Sequence, residues 1–182
     1  ISATNKENNS FTIGQITGQR LNKLGINMNL APVLDVNQEK KNPIINRRSF
    51  SDNPSIVKSF GKQYIKGLQD KKIITTGKHF PGHGNVNKDS HKNLPINSST
   101  KKHLYKIDIS PFQMAIEQNI ESIMTAHIIY PSLDKKYPAT LSKIILTDLL
   151  RTELQFQGVI ISDDLKMNAI KNHYSFKESC RK

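Results

Sequence analysis

Ile73-Ile74-Thr75-Thr76-Gly77-Lys78-His79-Phe80-Pro81-Gly82-His83-Gly84 runs from an apolar, β-branched stretch straight into a loop crowded with titratable groups, and Asp89-Ser90-His91 comes directly after it. β-Branched residues favour a strand. The loop at a strand's end is where parallel α/β scaffolds keep their reacting groups. Downstream, Gly158-Val159-Ile160-Ile161-Ser162-Asp163-Asp164 repeats the arrangement: the apolar run of a strand buried on both faces, ending in paired carboxylates. Two strand ends with a His/Asp pair and an Asp/Asp pair point to acid–base and nucleophilic chemistry. The chain therefore reads first as an enzyme.

Outward from these two stretches, strand-like and helix-like segments alternate. Residues 10–24 read as a helix, with Phe11, Ile16, Leu21 and Leu24 near helical spacing and Gly25 placed as the C′ residue. Residues 26–36 read as a strand interrupted by Pro32. Asn53-Pro54 has the form of an N-cap and N1 pair, and Ile56, Val57, Phe60, Tyr64 and Leu68 mark one face of the helix it opens. Residues 104–119 read as a helix entered through Ser110-Pro111, and residues 121–129 as a strand ending in Ala126-His127. Ser142 caps a helix whose Ile145, Leu149 and Leu150 face inward, and a last helix starts near Ser175. Repeated strand–helix units joined by short loops imply a parallel sheet with right-handed crossovers. Roughly four such units are visible, whereas a closed eight-stranded barrel takes about 250 residues. At 182 residues the chain is either an open α/β sheet or a piece of a barrel.

The composition supports one domain with a core of its own. No run approaches the roughly 20 apolar residues of a membrane helix, and no charged region leading into an apolar one marks a signal peptide at Ile1. A single cysteine, Cys180, excludes an internal disulfide framework and is compatible with a reducing compartment. The net charge of +12 raises the question of a polyanionic partner. The lysines are scattered through every segment, without a basic patch interleaved with aromatics, so the expectation is a dispersed lysine bias and no nucleic-acid role.

Asp163, at a strand's C-terminal end, could attack an anomeric carbon, bind a metal or cap the next helix; Asp164 reads as the N-cap of a helix through Leu165-Lys166-Met167. Asp89 stands two residues from His91, so its carboxylate could accept the imidazole Nδ1–H and leave Nε2 for proton transfer. Alone, that triplet is as well explained by a polar surface loop. Lys78 and His79 supply donors beside Gly82 and Gly84, which let the backbone approach a ligand closely. Arg48, in Arg47-Arg48-Ser49-Phe50, offers a guanidinium for paired oxygens, with Arg47 reading as a solvated charge. His79, His83 and His91 could be taken for a zinc triad, but their intervals are irregular and no paired cysteines accompany them. His127 could line the same pocket or be a satisfied core histidine; His103 and His173 carry no assignment.

The order Ala31-Pro32-Val33-Leu34-Asp35-Val36, Arg48-Ser49-Phe50, Lys78 to Gly84, Asp89-Ser90-His91, Pro138-Ala139-Thr140-Leu141-Ser142 and Ser162-Asp163-Asp164-Leu165 resembles bacterial β-N-acetylhexosaminidases of the NagZ type, in family 3 of the glycoside hydrolases. The resemblance covers nearly the whole chain. It implies a (β/α)8 TIM-barrel type of α/β fold with only the central strand–helix units present, residues 1–182 being part of the family 3 N-terminal domain. It implies Asp163 as the nucleophile of a retaining double displacement, His91 as general acid/base and Asp89 as its dyad partner. Arg48, Lys78 and His79 match residues that hold the N-acetylglucosamine unit. The common retaining scheme uses two carboxyl groups about 5–5.5 Å apart, so a histidine acid/base departs from it. The implied substrate is a glycan or muropeptide ending in β-linked N-acetylglucosamine, as in peptidoglycan recycling, with no metal or organic cofactor, no membrane partner and a cytoplasmic location.

Enzymes of this type are nearly twice as long. The present sequence enters the barrel just before its third strand, without the segment carrying the family's D-x-E-G-G-like stretch and its sugar-binding aspartate, and stops at Ser175 to Lys182. Two exposed sheet edges and an incomplete scaffold are therefore expected. Besides an active hydrolase, an inactive sugar-binding remnant and a basic nucleic-acid binder remain as competing functions.

Overall fold

The computed structural model describes residues 1–90 and 92–182. Its centre is a four-stranded parallel sheet in the order β1 (Met28–Asn29), β2 (Ile74–Phe80), β3 (Ser122–Thr125) and β6 (Val159–Ser162). Each strand pairs with the next one of the sheet along the chain, the connectivity of a sector of (β/α)8 wall. A short antiparallel hairpin, β4 (Ile129–Tyr130) with β5 (Asp134–Pro138), stands outside this sheet.

Helices cover one face. α1 (Glu7–Lys23) packs along α2 (Pro54–Asp70), and α2 along α4 (Ser110–Glu117). Asn53 caps α2 as its sequence foretells: its Oδ1 accepts the Ser55 N–H at 2.9 Å, with Pro54 at N1. The core lies between sheet and helices, where Leu34, Phe80 and Ile123 meet Ile65, Phe112, Ala115 and Leu150.

Several elements differ from expectation for identifiable reasons. The buried stripe of α1 is Ser10, Gly14 and Gly18, while Ile16 is 41% and Leu24 74% exposed. Helix α2 passes so close that a Cβ on Gly67 would sit 2.2 Å from the Phe11 carbonyl oxygen, so the contact is chosen by size rather than hydropathy. Gly25, at φ +72°, ends α1 as foreseen. The strand expected over residues 26–36 is regular only at Met28–Asn29, because Pro32 has no N–H for the ladder. The chain nevertheless stays beside β2 through Thr76 N–H to Ala31 O at 3.0 Å and Leu34 N–H to Lys78 O at 2.7 Å.

The helix expected over residues 104–119 is assembled from α3 (Lys101–His103), a π-helical turn at Leu104–Asp108 and α4. The strand expected over 121–129 ends at Thr125, and the chain leaves the sheet for the hairpin. Ser142 does cap the helical segment after it: its Oγ accepts the Ile145 N–H at 3.1 Å, and Ile145, Leu149 and Leu150 are buried along the π-helical stretch Ile144–Glu153. The short helices α5 (Asn168–Lys171) and α6 (Phe176–Ser179) complete the chain, α6 starting at the Ser175–Glu178 capping box. β6, expected buried on both faces, pairs only with β3 among the described residues, and Val159 is 59% exposed. No helix among the described residues is long and apolar enough to cross a membrane.

Candidate functional site

The C-terminal ends of the parallel strands carry the polar residues. One pocket there, of about 160 Å³, is lined by Arg48 from the loop after β1, Lys78, His79 and His83 from the end of β2 and its loop, Ser90, and Asp163 from the end of β6. Leu30, Ile44 and Met124 supply its apolar wall. Four of the six residues expected at the site, Arg48, Lys78, His79 and Asp163, thus meet in one place, though far apart in the chain. Asp89 lies nearby on the loop, half-buried, its carbonyl accepting the N–H groups of Lys92 and Asn93 at 3.0 and 2.9 Å. His91 lies outside the described residues.

The end of β2 is bent into this role. Its pairing with β3 shifts register between Lys78 and Phe80, and the Lys78–His79 and Phe80–Pro81 peptide bonds are cis. A fully buried carboxylate, Asp35, organises the loop beyond that bend. It accepts the His79 N–H at 3.1 Å, pairs with His79 Nδ1 at 2.7 Å, and accepts the His83 N–H at 2.6 Å. Burial alone would raise the Asp35 carboxyl, but the charge and hydrogen bond of His79, with those of His83, outweigh it and hold the group below its usual value. With Nδ1 committed to Asp35, Nε2 is the nitrogen His79 has left for the pocket. Gly84 closes the loop against the first strand's extension: a Cβ there would fall 1.7 Å from the Val36 carbonyl oxygen, a position only glycine can occupy.

Lys78 is half-buried, and burial, then the neighbouring Arg48 guanidinium, push its ammonium below the usual lysine value, while Asp163 and Asp35 pull the other way. Asp163 is half-buried; its Oδ1 accepts the Asp164 N–H at 2.8 Å, and its carboxylate shares the pocket with the two cations. Asp164 is not the helix cap expected of it. Its side chain accepts the Lys166 N–H at 2.8 Å and holds a turn, with α5 starting only at Asn168.

His127 is a satisfied core histidine. Its Nδ1 lies 2.7 Å from Thr140 Oγ1 and its Nε2 3.1 Å from the Asp164 carbonyl, and burial lowers its basicity. His83 is buried too, which pushes it down to about 4 despite Asp35. Asp108 is a further buried carboxyl behind the loop. A Cβ on Gly82 would sit 2.6 Å from the Asp108 Cβ, and His103 Nε2 stands 3.6 Å from Oδ2, too far for a hydrogen bond. Burial, with the Asp35 charge, pushes Asp108 up to about 8. No group of three metal-ligating side chains occurs among the described residues.

The family model described as the glycosyl hydrolase family 3 N terminal domain matches residues 1–182. The chain belongs to glycoside hydrolase family 3. Among relatives, the Beta-hexosaminidase of Haemophilus influenzae is 38% identical over 183 residues, covering 100% of this chain and 51% of the relative. Beta-hexosaminidase A of Pseudoalteromonas piscicida is 40% identical over 175 residues, 90% of this chain and 29% of the relative. Among solved structures, a family 3 beta-N-acetylglucosaminidase from Paenibacillus sp. str. FPU-7 matches with a TM-score of 0.97 and 38% identity over 99% of this chain and 34% of that one. Native NagZ from Neisseria gonorrhoeae matches with a TM-score of 0.86 and 36% identity, over 96% and 49% of the two chains. The chain therefore spans about half, or less, of the length of these relatives, and its sheet is part of the family 3 barrel.

Three contributors escape a reading of the sequence. Asp35 stands out there only as part of Ala31 to Val36, and its signal is a carboxylate placed between Leu34 and Val36, where an unpaired charge would be costly. His83 is weighed there only as a member of a zinc triad, and Ser90 carries no role, because a serine beside an acid/base pair reads as filler until its burial is known.

Proposed function

We propose that the chain carries the catalytic wall of a retaining β-N-acetylhexosaminidase that releases terminal β-linked N-acetylglucosamine, from glycans or muropeptides of the peptidoglycan-recycling type. The observation that carries this reading is the meeting of Arg48, Lys78, His79 and Asp163 in one pocket at the strand ends. Asp163 attacks the anomeric carbon; the glycosidic C–O bond breaks, and the departing oxygen takes a proton from His91. Water then attacks the same carbon, gives its proton to His91, and frees Asp163 as a carboxylate. Asp89 stabilises the charged form of His91. Arg48 and Lys78 donate to sugar hydroxyl or carbonyl oxygens, and His79, held by Asp35, donates or accepts through Nε2. No cofactor enters this scheme.

In a second reading Arg48, Lys78 and His79 hold the sugar without turnover. A reducing, cytoplasmic location fits the free and exposed Cys180.

Release of a chromogenic aglycone from an N-acetyl-β-glucosaminide tests the first reading. Turnover that disappears in Asp163→Asn supports it. Binding of N-acetylglucosamine without turnover at any pH establishes the second. Undiminished turnover in Asp163→Asn contradicts the nucleophile assignment.

A further inference from the structure

Ser90, on the loop after β2, lines the pocket, yet its hydrogen bonds lead elsewhere. Ser90 is 3% exposed and its Oγ lies 3.1 Å from His83 Nε2. His83 is itself immobilised: its N–H donates to Asp35 at 2.6 Å, its carbonyl accepts from Asn42 Nδ2 at 2.8 Å, and its ring meets that of His79 edge-on at 5.6 Å. On its other side, the Ser90 carbonyl accepts the Ala169 N–H of α5 at 3.3 Å. α5 comes after the turn beyond Asp163, where the Met167 N–H reaches the Asp164 carbonyl at 3.0 Å. Ser90 thus bridges the Asp35-anchored start of the loop after β2 and the segment that leaves β6.

The proton on this pair can be assigned from burial. His83 Nδ1 is buried without a hydrogen-bond partner among the described residues. A buried N–H without an acceptor is rarer and costlier than a buried lone pair without a donor, so the ring proton belongs on Nε2. His83 then donates to Ser90 Oγ, and the serine keeps its own hydrogen.

We propose that Ser90 is a positioning residue, clamped by His83 on one side and Ala169 on the other, that fixes the Asp89 stretch of the loop relative to Asp163. Its catalytic consequence rests on the hydrolase reading, whereas the clamp itself stands on the hydrogen bonds. Displacement of a catalytic group by about 1 Å can cost roughly 100-fold in rate. Loosening the loop should therefore lower kcat more than it alters KM.

Two measurements on the purified protein test this. In amide hydrogen exchange, Ser90→Ala should speed exchange at Lys92 and Asn93, whose amides bond to the Asp89 carbonyl, by about tenfold or more. Amides of α2 should be unchanged, and His83→Gln, which keeps an N–H near the Nε2 position, should retain most of the protection. With the chromogenic substrate, Ser90→Ala should lose about 10- to 100-fold in kcat with KM within a few-fold of the wild type. Unchanged exchange at Lys92 and Asn93 in Ser90→Ala overturns the clamp. If the wild type shows no turnover, the hydrolase reading fails, and exchange alone still decides the clamp.

Discussion

Asp35, His83 and Asp108 lie within one small region behind the β2 loop, and their responses to pH differ in sign. His83 has its ordinary value of 6.5 in the unfolded chain and about 4 in the fold. Between those values the unfolded chain binds more protons, so acidification from pH 6.5 to 4 removes stability, on the order of 3 kcal/mol. Asp108, raised to about 8, behaves the other way: the fold binds the extra proton, and stability is lost as pH climbs from about 4 through 8. Denaturant titrations should show His83→Gln flattening the acid limb and Asp108→Asn the alkaline limb. Asp35, depressed below 3.8, contributes stability above that value which is lost only in stronger acid. Asp35→Asn leaves His79 and His83 without their charged acceptor and should destabilise the fold by about 3 kcal/mol or more. It should also raise KM, because His79 loses the partner that fixes its ring; unchanged KM and stability would contradict this role.

At the scale of elements, the sharpest constraint is the contact between α1 and α2. A methyl group on Gly67 would meet the Phe11 carbonyl oxygen, so Gly67→Ala should cost about 1–3 kcal/mol, read as a lowered Tm. The same contact shows where sequence reading stops. Periodicity locates α1 but picks its apolar residues as the buried face, because hydropathy does not register a crossing that needs small residues. α2 is legible in full, since Asn53-Pro54 and the stripe through Val57, Phe60 and Leu68 agree on its start and its face. The strand ends with Lys78, His79 and Asp163 are legible because apolar runs stop there and titratable groups begin. The hairpin of β4 and β5 is not, because it succeeds β3 without a break in the apolar pattern. Asp35 and Ser90 escape because their importance lies in burial and in partners more than 40 residues away for Asp35, not in spacing.

Across the whole molecule, the sheet ends in two strands with one partner each among the described residues, β1 and β6. Leu30 beside β1 is 46% exposed and Val159 on β6 is 59% exposed. Parallel sheets are ordinarily covered on both faces, and open apolar edges invite association. Sedimentation of the purified chain should therefore show concentration-dependent association, weakened in Val159→Lys by a charge on the edge; equal association in both would place the contact elsewhere.

The central claim, that Asp163 is the nucleophile of a retaining reaction, is tested most directly by covalent capture. In His91→Ala, an N-acetylglucosaminide with a good leaving group needs no acid to form the glycosyl-enzyme, yet lacks the base to hydrolyse it. Intact mass measurement should show the protein heavier by one N-acetylhexosamine unit, with the modified peptide containing Asp163. A release of aglycone with no adduct, or an adduct on another residue, would contradict it.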